Sequence, residues 1–148
     1  MPQSLAQVYL HIVFSTKNRY PWLKSKQLQA DVHAYLAATL NNLECPCLIA
    51  GGVEDHVHLL CRLGRTATIA DVVRDVKKAS SSMLHDRSGA LRDFHWQSGY
   101  GAFSISPSHV RLRGTFGNPF RVGKMTCGAI VTQGALRDPG LCSVTPSA

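Results

Sequence analysis

Several things are missing from this 148-residue chain, and each absence excludes something. No apolar run approaches the roughly 20 residues that a membrane helix needs, so no membrane partner is expected. The N-terminal stretch Met1-Pro2-Gln3-Ser4-Leu5-Ala6-Gln7 lacks the basic-then-apolar layout of a signal peptide, which makes the cytoplasm the expected compartment. Cysteines number five, an odd count too sparse for a disulfide scaffold. Cys45-Pro46-Cys47 is a CxC without a second pair to complete a soft-metal site, so buried or edge thiols are expected there. Acidic residues are scarce as well. Nine Asp and Glu face sixteen Lys and Arg, for a formal charge of +7 and a pI near 9.5. That balance favours a polyanionic partner, nucleic acid being the commonest.

The excess charge is uneven. Residues 1–110 hold 11 Lys and Arg against 8 Asp and Glu, whereas residues 111–148 hold 5 against 1. The second segment also carries half of the twelve glycines and no Glu, Tyr, Trp or His. It shows neither helical nor strand periodicity. One domain over residues 1–110 and an irregular tail over 111–148 are therefore expected.

What is present centres on Glu54-Asp55-His56-Val57-His58-Leu59-Leu60-Cys61-Arg62-Leu63, bounded by Gly51-Gly52 and Gly64. This reads as a short strand. Residues two apart on a strand share a face, so His56 and His58 stand about 6–7 Å apart at the backbone, and both can reach one cation. Val57, Leu59, Cys61 and Leu63 then point into a core. Imidazole suits divalent transition ions, and Glu54 or Asp55 could fix an imidazole tautomer. Two half-buried histidines bonded to their neighbours would give the same pattern.

Leu5 to Ser15 alternates Val8, Leu10, Ile12 and Phe14 with Tyr9, His11 and Val13, giving a first strand. Its loop, Thr16 to Trp22, places Lys17, Arg19 and Trp22 where they can contact phosphates and stack on unpaired bases; Trp22 could equally pack on the core. Leu28, Val32, Tyr35, Leu36, Thr39, Leu40 and Leu43 mark a helix ending at Asn41-Asn42. Leu48-Ile49-Ala50 forms a second strand and a hairpin with the histidine strand. Thr68 and Asp71 cap a second helix, with Ile69, Val72, Val73, Val76, Ala79 and Met83 inward. Arg74, Lys77 and Lys78 on its other side are an ordinary wet face or phosphate contacts. Gly101 to Ser106 is the fourth strand. The β-α-β-β-α-β order predicts an α+β, ferredoxin-like split βαβ fold, a four-stranded antiparallel sheet with both helices on one face.

Four ordered segments carry a resemblance: Tyr9-Leu10-His11-Ile12-Val13-Phe14-Ser15-Thr16-Lys17-Asn18-Arg19, Asp55-His56-Val57-His58-Leu59-Leu60, the Val72-to-Ser82 helix, and Trp96-Gln97-Ser98-Gly99-Tyr100-Gly101-Ala102-Phe103-Ser104-Ile105-Ser106. Over residues 5–110 the chain resembles the single-tyrosine HUH transposases of small bacterial insertion sequences and their REP-associated relatives. That resemblance implies a homodimer acting on single-stranded hairpin DNA. A tyrosine attacks a phosphodiester to form a 5′-phosphotyrosine link, and Mg²⁺ or Mn²⁺ is held by His56 and His58. The family places its nucleophile after the Gly-Ala-Phe-Ser strand in a Tyr-x-x-x-Gln pattern. This sequence has no tyrosine after Tyr100, and Gln133 lies outside such a pattern. Tyr100 is a poor substitute, better read as packing at a strand start. A frameshift near codon 110 would account for the loss, and cleavage is then expected to be absent. Two other classes fit less well. An RRM-type RNA binder would show aromatics on its central strands. A hydrolase would use His56, His58 and His11 with an activated water.

Overall fold

Two central strands, buried along nearly their whole length, build the molecule. In this computed structural model residues 5–108 and 110 are described; the tail expected over 111–148 lies outside them. Strand β1 spans Tyr9–Ser15, β2 Cys47–Gly52, β3 His56–Arg62 and β4 Gly101–Ile105. Helix α1 spans Lys26–Asn42 and α2 Ile69–Arg87. The sheet order is β2-β3-β1-β4, and every pairing is antiparallel. This is the split βαβ arrangement that the element order predicts.

The register makes one face of the sheet apolar. Leu10 pairs with Cys61, Ile12 with Leu59 and Phe14 with Val57. These six join one core with Val32, Leu36 and Leu40 of α1 and Val72, Val73, Val76 and Leu84 of α2. Both helices thus pack on one face. The alternate residues, His11, Val13, Ser15, His56, His58 and Leu60, point to the other face by the strand's period of two.

Local chemistry sets the helix ends. Ser25 accepts a hydrogen bond from Leu28 N at 3.4 Å to open α1. At its other end the left-handed residue is Glu44 (φ 58°), while Asn41 Oδ1 accepts from Cys47 N at 2.9 Å. Thr68 Oγ1 accepts from Asp71 N at 3.1 Å and donates to Asp71 Oδ2 at 2.7 Å, the expected cap of α2.

Four side chains depart from the sequence pattern. Tyr35 is exposed at the margin of the α1 stripe, and Val8 is exposed before β1 begins. Gln29 is buried instead, its amide donating to Leu23 O at 2.6 Å. Ser80, an apparent surface residue, is buried and accepts from Trp96 Nε1 at 2.9 Å. Polar residues tolerate burial when their hydrogen bonds are made, and hydropathy cannot register that. Cys45 and Cys61 are buried and Cys47 half-buried; all three are free thiols. Among the described residues, no helix is long and apolar enough to cross a membrane.

Candidate metal centre and nucleic-acid surface

The two central strands bring three imidazoles together. His56 and His58 project from β3 with ring centroids 5.0 Å apart and planes 71° apart. Two imidazoles bound to one ion at about 2.1 Å have centroids roughly 5 Å apart, so the spacing fits a shared cation. Across the sheet, His11 Nε2 lies 3.0 Å from His58 Nδ1, and these rings stack at 18°. His11 therefore engages a ring nitrogen of His58. Among the described residues, no three His, Cys, Asp or Glu side chains are placed to hold a metal ion. His56 and His58 are the candidate pair.

Asp55 orients the first of them. Its Oδ1 lies 2.6 Å from His56 Nδ1, and its Oδ2 accepts from Arg19 Nε at 3.1 Å. Burial alone would raise the Asp55 carboxyl, but the hydrogen bonds from His56 and Arg19 outweigh it and hold the group below the usual range. An ionised Asp55 only accepts, so the His56 nitrogen that faces it, Nδ1, carries a proton. Arg19 Nη2 is 3.5 Å from that same Nδ1, too long for a good bond.

His58 is held neutral. Burial, with the neighbouring His11 and His56, pushes its pKa down from 6.5 to about 3. A neutral imidazole is the form that binds metal. The shift also has a stability consequence. Between pH 6.5 and about 3 the unfolded chain takes up a proton that the folded chain refuses. Stability from this group is complete above pH 6.5 and is lost as pH falls toward 3. Thermal melts without added metal should therefore show a falling midpoint across that window, with a shallower slope in His58→Asn.

Gly52 fixes the approach to β3. A Cβ there would sit 2.3 Å from the His56 carbonyl oxygen, and Val53 N donates to that oxygen at 3.0 Å. Only glycine leaves room for this close turn.

The cationic residues singled out in the sequence are placed differently from one another. Lys17 and Lys78 are exposed. Arg74 is exposed and bonded to Asp71 at 2.7 Å and Asp75 at 3.0 Å. Arg19 is half-buried beside His56. Lys77 turns its ammonium inward, donating to Gln97 O at 2.8 Å and Gly99 O at 2.6 Å, and burial lowers its pKa to about 8. Trp22 is half-buried against the core, 4.9 Å from the exposed Tyr20 ring and 6.1 Å from Phe94. The Tyr100 ring is 43% exposed and lies 6.0 Å from the Lys77 ammonium of α2.

Sequence reasoning missed Gln97. Its Oε1 accepts from Asn18 N at 3.0 Å, and its own N–H donates to Ser15 O at 2.8 Å. It lies in the Trp96-to-Ser106 segment that carries the resemblance, but that segment does not reveal the contact, which arises where the lead-in to β4 passes the end of β1.

A split βαβ sheet thus bears a histidine pair on the face away from its helices, and comparison with known proteins assigns the class. The chain belongs to the IS200-like transposase family, whose sequence model matches residues 4–113. A crystal structure of a provisionally named transposase from Deinococcus radiodurans R1 superposes with a TM-score of 0.63 at 19% identity, covering 76% of this chain and 88% of that one. A REP-associated tyrosine transposase bound to a REP hairpin gives a TM-score of 0.52 at 14% identity, covering 76% of this chain and 66% of that one. No curated protein sequence matches the chain.

Proposed function

We propose that the chain binds single-stranded hairpin DNA and a divalent ion, Mg²⁺ or Mn²⁺, as a transposase that has lost its cleavage step. It works in the cytoplasm as a homodimer. The observation that carries this reading is the histidine pair: two imidazoles at ligand spacing, His56 oriented by an ionised carboxylate and His58 held neutral. A similar structure, the REP-associated transposase, holds a REP hairpin.

The chain's own residues divide the work. His56 and His58 would hold the ion, which supplies positive charge to polarise a phosphate oxygen. Arg19 lies within the same cluster and, though paired with Asp55, adds positive charge beside the backbone. Lys17 and Lys78 are exposed cations that add sequence-independent attraction. Arg74 adds less, being already bonded to two carboxylates. Lys77 reaches a phosphate only by giving up two carbonyl bonds. Trp22 is committed to packing, which leaves Tyr20 with more surface for stacking on a base.

No tyrosine follows Tyr100, and the Tyr100 ring lies by α2 rather than on the histidine face. On this reading residues 1–148 carry no tyrosine at the nucleophile position, and residues 111–148 are an out-of-frame or unrelated tail. Incubation with labelled hairpin DNA and Mn²⁺ should give a shifted complex on a native gel. No covalent adduct should survive a denaturing gel. An adduct would assign a nucleophile and overturn the loss of cleavage. Hydrolysed product without adduct would instead favour water activated at His56, His58 and His11.

A further inference from the structure

A strut of backbone and side-chain contacts runs from α2 to His56, and its middle is strained. Asn18 and Arg19 both adopt left-handed backbone conformations, with φ of 56° and 55°. Asparagine tolerates this region; arginine rarely enters it. Such strain persists only where surrounding contacts over-determine it. Those contacts are present. Asn18 N donates to Gln97 Oε1 at 3.0 Å. Lys17 N donates to His95 O at 2.8 Å, and Arg19 N to Thr16 O at 3.0 Å. Thr16 N and Oγ1 both donate to Asp55 O, at 2.9 and 3.2 Å.

Gln97 is itself braced. Its carbonyl and that of Gly99 accept from the Lys77 ammonium at 2.8 and 2.6 Å, and the ammonium stands 5.2 Å over the Phe14 ring. Its N–H is tied to Ser15 O. The strained turn delivers the Arg19 guanidinium side-on to Asp55, leaving Asp55 Oδ1 to His56 Nδ1.

We propose that Gln97, braced by Lys77, is a positioning residue for the divalent-ion site: it locks the Asn18–Arg19 turn, which places Arg19 on Asp55, which holds His56 with Nε2 turned to the ion. The proposal rests on the metal-binding reading above, yet it can be tested apart from it. Without the Gln97 acceptor, the turn relaxes out of the left-handed region and Arg19 leaves the carboxylate. His56 then samples both tautomers. Outer-shell partners of metal-binding histidines typically control about 10–100-fold in affinity, and the lower end is expected for a residue acting through two others.

The test uses the full chain at pH 8. Gln97→Ala should weaken Mn²⁺ binding, measured by calorimetry, about tenfold. Imidazole ¹⁵N spectra taken without metal should show His56 changing from the Nδ1–H tautomer to a mixture. Gln97→Glu keeps the acceptor oxygen and should restore both readouts. Loss of stability alone would move neither the tautomer of the folded fraction nor the Glu rescue. If Gln97→Ala does not fold, Asn18→Val, which disfavours the left-handed turn, should reproduce both changes. An unchanged tautomer together with Mn²⁺ affinity within twofold of wild type would overturn the proposal. A wild type that binds no Mn²⁺ would sink the metal reading alone, since the tautomer shift would still report the strut.

Discussion

Replacing His56 and His58 together by alanine is expected to abolish saturable Mn²⁺ binding, a loss well beyond the 10–100-fold or so that outer-shell partners control. The expectation follows from the ligand count. Among the described residues no three His, Cys, Asp or Glu side chains are grouped to hold an ion, so the proposed site rests on His56 and His58 alone. His11 cannot substitute, because its Nε2 is directed at His58 Nδ1 and its ring is stacked on the same partner. Calorimetric titration of wild type and double variant checks this directly. Hairpin affinity measured in EDTA should change little, since the phosphate contacts proposed for Lys17, Lys78 and Arg19 do not require the ion. That affinity should fall steeply with added salt, as counterion release demands. Retained Mn²⁺ binding in the double variant would move the ion elsewhere in the chain and remove the main support for the metal reading.

The histidine pair was legible because a strand has a period of two: an i, i+2 pair inside an apolar run can share only one face. The same rule made Leu10, Ile12 and Phe14 visible as core, and helical spacing did so for Val32, Leu36 and Leu40. The orienting shell was less legible. Asp55 could be suspected from adjacency, but its bond to Arg19 spans 36 residues and depends on a left-handed turn that no propensity favours. Gln97 and Ser80 lie in segments that carry the resemblance, but their contacts gave no signal, since each is defined by a partner reached only after the chain reverses. Lys77 shows the converse problem. Three cations near one another on a helix suggest a phosphate surface, yet local spacing cannot say that one of them caps two carbonyls from a distant loop.

That inward lysine leads to the residue on which the site leans hardest. Phe14→Ala is expected to cost about 3–5 kcal/mol, the usual range for emptying a buried aromatic site, against a total stability of roughly 5–15 kcal/mol for a domain. Phe14 is 1% exposed. Its ring meets Trp96 edge-on at 4.8 Å on one side and the Lys77 ammonium at 5.2 Å on another. Alanine would leave a void beside Trp96 and strip the ammonium of the nearer of its two aromatic neighbours, so the cavity and the lost cation–π contact act together. Phe14→Leu, which refills most of the volume, should cost only about 1–2 kcal/mol. Urea titration measures both, with an unchanged m-value expected if the folded state stays compact. The effect should also reach the metal centre. Phe14 pairs with Val57, between the two histidines, while the adjacent Ser15 pairs with His56. A loosened β1–β3 contact at that point spreads the imidazoles before the chain unfolds. Mn²⁺ affinity in Phe14→Ala should therefore fall under conditions where circular dichroism still reports a folded chain. If affinity holds while stability drops, the strand pairing is more rigid than its packing, and the centre does not depend on the core beneath it.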